Sequence, residues 1–441
     1  MFKSPHPDHD HLFERLRNGT TPERALDAIA VGLEEPLAEL DRLFALVGQG
    51  EGVSKFLRGG YGCGKTFLAR YALQRAHQRN LATSFVVVSV NDAPLYKFDV
   101  IYQKILEGMT TRNAPRHGLR DILDRWIAKS EDAVIDTGVD EKSPGFVTKV
   151  LERFEVALGE AGRVAGPLFM QAIRAYARAV QMRDHVSANG LLAWISGSKD
   201  VGQAVLRPAG LKGVVETDMA LNFLRGILEI IRLAGHPGLF VVVDEVETVM
   251  RMPRKDLRGK SLNAIRQLLD KLGDGGLPGL MLVFTGTPEF YDAPRGVRSE
   301  VALDQRIAFK PAVGGFVNYR QPQLELRPFD AERLRAVGRK LRDIYPAADA
   351  GALKVRVSEA FLDRLVSDVL SGCQGHVGVA PRAFLRELVG VLDLADQHPT
   401  YDPLVAYAFE PASIQVLIEQ AATGEPLADD DDRAVGTSIA L

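Results

Sequence analysis

Phe56-Leu57-Arg58-Gly59-Gly60-Tyr61-Gly62-Cys63-Gly64-Lys65-Thr66-Phe67 decides how this chain is read. Gly59 and Gly64 bracket four residues and Lys65-Thr66 follow, fitting G-x-x-x-x-G-K-[ST]. An apolar run at Lys55–Arg58 precedes the pattern and a helical pattern at Phe67–Arg79 follows it, which is the strand–loop–helix context a phosphate-binding loop needs. The chemistry accounts for the residue types. Glycines let backbone N–H groups converge on phosphate oxygens, and the helix behind them contributes its positive end. Lys65 is expected to reach the β- and γ-phosphates of a nucleotide and the Thr66 hydroxyl to ligate Mg2+, with Gly59, Gly60, Gly62, Cys63, Gly64 and Phe67 completing the cradle. Cys63 sits near a helix N-terminus, a setting that lowers thiol pKa and allows redox control; the plainer reading is a small residue tolerated in the loop.

Phe240-Val241-Val242-Val243-Asp244-Glu245 supplies the second half of the signal: an apolar strand ending in adjacent carboxylates. Asp244 is expected in the magnesium shell, and Glu245 to orient and deprotonate the attacking water. A kinase must keep water from its γ-phosphate, so this pair favours hydrolysis. The chain has no Asn-Lys-x-Asp motif, which makes ATP the expected nucleotide rather than GTP.

Ser84–Val90 and Leu280–Thr285 are further β-branched or apolar runs without alternation, as in strands buried on both faces of a parallel sheet. Helical patterns separate them, so the expected fold class is α/β with a parallel sheet. Residues 1–50 read as N-terminal helices, one of them at Pro36–Val47. Residues 51–327 read as the sheet domain, with a mostly helical insertion at about 108–218 whose clearest stripe is Val147, Val150, Leu151, Phe154 and Leu158. Past Pro328 only helices are expected: one capped by Asp330 and stopped by Pro346, one capped by Ser358, one opened by Pro381, and a last at Ala412–Ala421. Residues 328–425 form that helical domain, and 426–441, with Asp429–Asp432, an acidic tail expected to be disordered.

Composition narrows the field. The 441 residues are 46% hydrophobic and 25% charged, ordinary for a globular protein. Lys+Arg number 54 against 57 Asp+Glu, a net charge of −3, so any polyanion contact must be local. Two cysteines build neither a disulfide framework nor a zinc knuckle. The N-terminus lacks a signal-peptide core and no apolar run reaches membrane-spanning length, so a cytoplasmic protein without a membrane partner is expected.

These motifs resemble the AAA+ superfamily of P-loop ATPases, particularly its Orc/Cdc6-like initiator branch. Val31-Gly32-Leu33-Glu34-Glu35 is similar to the Val-Gly-Arg-Glu box near adenine, with Leu33 in place of the usual Arg. Leu282–Thr287 is similar to the sensor-1 strand, for which Thr285 and Thr287 compete, and Gly378-Val379-Ala380-Pro381-Arg382 to the sensor-2 motif that opens a lid helix. The resemblance implies that Arg382 reaches back to the phosphates. More narrowly, the P-loop segment, Val243-Asp244-Glu245-Val246-Glu247 and the Gly-x-x-Pro-Arg-x-Phe-Leu pattern at Gly378–Leu385 resemble the BrxD family of BREX phage-defence ATP-binding proteins. That resemblance implies ATP and Mg2+ as cofactors, and work alongside other BREX components, including a helicase.

Two basic clusters remain. Arg251, Arg254, Lys255, Arg258 and Lys260 read either as a solvated loop or as a loop facing duplex DNA, with the helical C-terminal domain as the alternative DNA contact. Among Arg295, Arg298 and Arg306, Arg306 most resembles the AAA+ arginine finger that acts on a neighbour's ATP, which implies nucleotide-dependent self-association; a plain helix-face arginine is the alternative. Three function classes follow: an ATPase that remodels a DNA-bound defence complex, an ATP-gated switch with little turnover, and a P-loop kinase, which Glu245 and Arg382 disfavour.

Overall fold

The computed structural model describes residues 7–373 and 380–410. Its strands are β1 (Val53–Arg58), β2 (Ala82–Val87), β3 (Leu239–Asp244), β4 (Leu280–Gly286) and β5 (Gln323–Glu325). They form one sheet in the order β2-β3-β4-β1-β5. The β2–β3, β3–β4 and β4–β1 ladders are all parallel. This is the α/β fold class expected from the sequence.

Burial explains the unalternating strands. Every residue of β3 and β4 is buried. Side chains of β3 leave in both directions: Phe240 meets Phe44 of the Glu34–Gly48 helix edge-on at 5.1 Å, while Leu239, Val241 and Val243 join the main core. With water on neither face, no polar position is required.

The chain divides into two compact units. The larger comprises Ala38–Arg58 and Ala72–Leu324, holding most of the sheet and the helices between β2 and β3. Those helices run from Phe98–Glu107 through Gly118–Ile135, Phe146–Ala165, Pro167–Gln181 and His185–Ile195 to Thr217–Leu233. They share one core with the sheet, in which Trp126 stacks on Phe154 at 4.3 Å and Phe169 meets Phe223 edge-on at 5.2 Å.

The smaller unit comprises Met1–Leu37, Gly59–Tyr71 and Glu325–Leu441. Asp330 and Ser358 cap the Ala331–Ile344 and Glu359–Gly372 helices as expected, accepting from the N–H groups of Arg333 and Phe361. The Ala380–Gln397 helix packs against Pro7–Arg17, where Arg17 clamps both oxygens of Asp393 at 2.7 Å and Tyr345 donates to the same carboxylate at 2.6 Å. The expected helix at Ala412–Ala421 and the acidic tail lie outside the described residues.

Among the described residues no helix is long and apolar enough to cross a membrane.

Candidate nucleotide-binding site

In the smaller unit, the Gly59–Gly64 loop is shaped by its glycines. Gly62 and Gly64 lie at φ of +71° and +84°, a region that side chains with a Cβ rarely occupy. A Cβ on Gly59 would sit 3.1 Å from the Leu326 carbonyl oxygen and 3.2 Å from the Cys63 Cβ, so the loop could not keep its path with a larger residue there. Lys65 opens the Lys65–Gln78 helix, and its Nζ donates to the carbonyls of Gly59 and Gly60 at 2.9 and 3.0 Å. The ammonium therefore lies over its own loop, held by two neutral oxygens where phosphate oxygens would be stronger acceptors. A narrow glycine turn, a helix N-terminus and a cation across the turn fit a nucleotide's phosphates.

Cys63 corrects the redox expectation. It is 5% exposed, and burial pushes its thiol pKa up, outweighing the opposing pull of Lys65. A protonated, enclosed thiol is a packing residue, which is the plainer of the two readings.

The Val31–Glu35 box and the Ala331–Ile344 helix belong to the same unit. Gly32 is left-handed at φ +66°, and a Cβ there would come within 3.3 Å of Arg333 Nε. Phe329 places its ring 3.7 Å from the Cβ position of Gly64. Arg333 and Phe329 escaped the sequence reading, because neither belongs to a motif. Of the sensor-2 motif, Gly378 and Val379 lie outside the described residues, while Arg382 is exposed in the first turn of the Ala380–Gln397 helix.

In the larger unit, the carboxyl edge of the sheet gathers Asp244, Glu245 and Thr285. Asp244 ends β3 and is buried, and Thr285 lies fully buried in the adjacent β4. The Thr285 hydroxyl donates to Asp244 Oδ1. The Glu245 N–H donates to the same Asp244 oxygen at 3.1 Å and to Thr285 Oγ1 at 3.2 Å. Glu245 itself sits at φ +59°, ψ +42°, strained for a residue with a Cβ and paid for by this three-residue network. The structure thus joins Thr285 to Asp244. Thr287 instead precedes the Pro288–Asp292 helix and makes no side-chain cap there.

Register places the ends of these strands together. Val243 lies opposite Phe284, and Arg58, the last residue of β1, lies opposite Gly286. Ligands of open parallel sheets bind beyond the carboxyl ends of the strands, the edge at which Arg58 closes β1. Arg58 is a further residue that sequence reading missed. It is buried, paired with Asp292 and stacked over the Phe309 ring at 4.5 Å, which pins the strand end from which the loop departs. Its signal was a charge closing the strand directly before the glycine loop.

The basic clusters take different forms from those expected. Only Met252–Arg254 of the 251–260 segment is irregular; Lys255, Arg258 and Lys260 lie on the Lys255–Gly273 helix. The first two turns of that helix carry mostly charges, and its apolar stripe becomes regular only at Leu262, Ile265, Leu269 and Leu272, so the sequence read there as a loop. Arg254 pairs with Asp256, and Arg258 donates to the Met252 carbonyl at 2.6 Å. Arg306 ends the Val301–Arg306 helix and forms an ion pair with Asp270, while Arg295 donates to the Met250 carbonyl at 3.1 Å.

The sequence model of the family described as "BREX system ATP-binding protein BrxC/D" matches residues 5–411. Among solved structures, the chain is similar to the Aeropyrum pernix ORC2 protein, solved as ADPNP–ADP complexes, at 12% identity and a TM-score of 0.36, covering 82% of this chain and 68% of that one. No curated protein matches.

Proposed function

We propose that this chain, which belongs to the BREX system ATP-binding protein BrxC/D family, is a Mg2+-dependent AAA+ ATPase whose cycle remodels or regulates a DNA-associated complex in defence against phage. The observation that carries hydrolysis, beyond ATP binding, is the Asp244–Glu245–Thr285 network. A left-handed Glu245 backbone, its N–H shared between Asp244 Oδ1 and Thr285 Oγ1, sets a second carboxylate residue directly after one that is buried and hydrogen-bonded at the strand end.

The remaining roles follow the chemistry. Lys65 binds the β- and γ-phosphates, backed by the glycine turn of 59–64 and by Thr66 and Phe67. Thr66 and Asp244 hold Mg2+, which keeps most of its waters and needs only one or two protein ligands besides phosphate. Glu245 orients the attacking water. Arg382 contributes charge from the lid helix, and Arg306 serves as a finger toward a second copy, so the active form is a nucleotide-dependent homo-oligomer. Duplex DNA and other BREX components, a helicase among them, are the proposed partners.

The deciding experiment is steady-state ATP turnover with and without duplex DNA. Turnover that Glu245→Gln abolishes, and that duplex DNA changes, supports the reading. Tight ATP binding with no turnover under either condition makes the chain an ATP-gated switch instead.

A further inference from the structure

Between the Val301–Arg306 helix and β5 the chain makes an exposed hairpin that no motif covers. Val313 and Phe316 exchange backbone hydrogen bonds at 3.3 and 3.0 Å across Gly314-Gly315, both left-handed at φ of +59° and +85°. Two consecutive left-handed residues in a two-residue loop make a tight, directed turn. Its tip presents Val313 and Phe316 at 79% and 85% exposure.

The hairpin is firmly rooted within its own unit. The Gln321 side chain accepts from the Lys310 N–H at 2.9 Å and donates to the Lys310 carbonyl at 3.1 Å, tying the two arms together. Below it, Lys55 Nζ donates to the carbonyls of Tyr319 and Gln321 at 2.7 and 2.8 Å. Lys55 is itself 2% exposed and paired with Glu39. A buried ion pair thus anchors the base of a surface loop.

Its charge is one-sided. From Gln305 to Leu324 the sequence has no Asp or Glu but carries Arg306, Lys310 and Arg320, on a chain whose net charge is −3. Lys310 and Arg320 are exposed and form no ion pair with the described carboxylates. Arg320 and Arg306 also line, with Arg42, a cavity of about 280 Å³ beside the root.

We propose that the 308–322 hairpin is a duplex-DNA contact, with Phe316 and Val313 wedging at a base step and Lys310 and Arg320 on the flanking phosphates. This rests on the reading of the chain as DNA-associated. Apolar wedges flanked by basic and amide side chains partly unstack a duplex and bend it, and Asn318, exposed beside the tip, supplies an amide. A protein-docking patch fits less well, because two side chains fall far short of the roughly 800 Å² per partner that a stable interface buries.

The test is anisotropy of a fluorescein-labelled duplex with ATP present, over a salt series, alongside binding of a fluorescent ATP analogue. Val313→Ser/Phe316→Ser is expected to weaken duplex binding roughly fivefold or more at an unchanged salt slope, since lost stacking is sequence-blind and uncharged. Lys310→Gln/Arg320→Gln is expected to lower the slope of log K against log salt by about 2. A 2-aminopurine placed in the duplex should brighten with the native chain and stay dark with the tip variant. Both variants should bind the ATP analogue normally, since they change only exposed side chains. If the native chain binds duplex and both variants match it, the hairpin proposal fails and the DNA reading stands. If the native chain binds ATP but no duplex, both fail. Loss of self-association with duplex affinity intact would make the tip a contact between copies and overturn the proposal.

Discussion

Thr285 on β4 donates its hydroxyl hydrogen to Asp244 Oδ1 at the end of β3, and both side chains are buried. The same hydroxyl oxygen accepts the Glu245 N–H at 3.2 Å, so one threonine holds both the Asp244 carboxylate and the Glu245 backbone. Thr285→Val keeps the branched shape and removes both bonds. ATP binding should persist, while turnover should fall about tenfold or more, the worth of one hydrogen bond to a charged group. Thr287→Val, which touches neither carboxylate by any hydrogen bond named above, should stay within a few fold of the native rate. Equal loss in the two variants would remove the distinction between the threonines.

Lys65 and Glu245 should separate binding from chemistry. Lys65→Ala is expected to abolish ATP binding, and Glu245→Gln to bind ATP and not hydrolyse it. Glu245→Gly is the sharper variant. Relief of the left-handed strain at φ +59° should leave thermal stability equal or higher, by up to about 1 kcal/mol, while turnover disappears. A melting temperature well below the native value would show that the strain is not localised at this residue.

Lys55 and Glu39 form the deepest ion pair described, 2.8 Å apart, with Arg42 chelating the same carboxylate at 2.8 and 2.9 Å. Lys55→Met leaves Glu39 and two backbone carbonyls short of a donor and should cost about 3–5 kcal/mol in chemical denaturation. The double variant Lys55→Met/Glu39→Leu should recover part of that and not all, because the Tyr319 and Gln321 carbonyls stay unserved. Burial pushes the Glu39 pKa up, but the bonds from Arg42 and Lys55 win and hold it below the ordinary glutamate value. The unfolded chain therefore takes up this proton first as pH falls. The stability from Glu39 is present above the ordinary glutamate pKa and is lost below it, down through the folded pKa. Glu39→Gln should flatten that acid limb of the stability profile.

Arg306 is paired with Asp270 within its own unit, which sets what a trans-acting role would require. Exposed pairs of this kind are worth at most about 1 kcal/mol, so exchange for a phosphate is inexpensive. Arg306→Ala should bind ATP and lose most turnover, and mixing with Lys65→Ala subunits should restore part of it. Asp270→Asn frees the guanidinium and should keep or raise the rate. Turnover strictly linear in protein concentration, from a monomer with ATP bound, would exclude the finger.

The sheet was legible wherever burial on both faces forced continuous apolar runs, as in β3 and β4. β5 was not: Gln323-Leu324-Glu325 is three residues long, shows no apolar run, and forms a strand only because β1 is there to receive it. The first turns of the Lys255–Gly273 helix were hidden for the opposite reason, since solvent-facing charges carry no periodicity. Within the candidate site, Lys65, Asp244, Glu245 and Thr285 stand in recognisable patterns, whereas Arg58 owes its place to Asp292 and Phe309, more than 230 residues along the chain. Motifs report chemistry that recurs locally. Supports assembled from distant segments leave no local trace.

The position of β1 bears on how the protein is made. It lies between β4 and β5, so neither neighbour of the strand that leads into Gly59 exists until late in synthesis. β4 begins roughly 220 residues after β1 ends, and at roughly 5–20 residues per second the ribosome needs on the order of ten to forty seconds to deliver it. Through that interval Val53–Arg58 has no ladder to join, and an unpaired strand that presents Val53, Phe56 and Leu57 invites association with other nascent chains. A fragment ending before Leu280 should therefore be aggregation-prone however well its helices form, and full-length yield should depend on chaperone supply more than on the final stability of the fold.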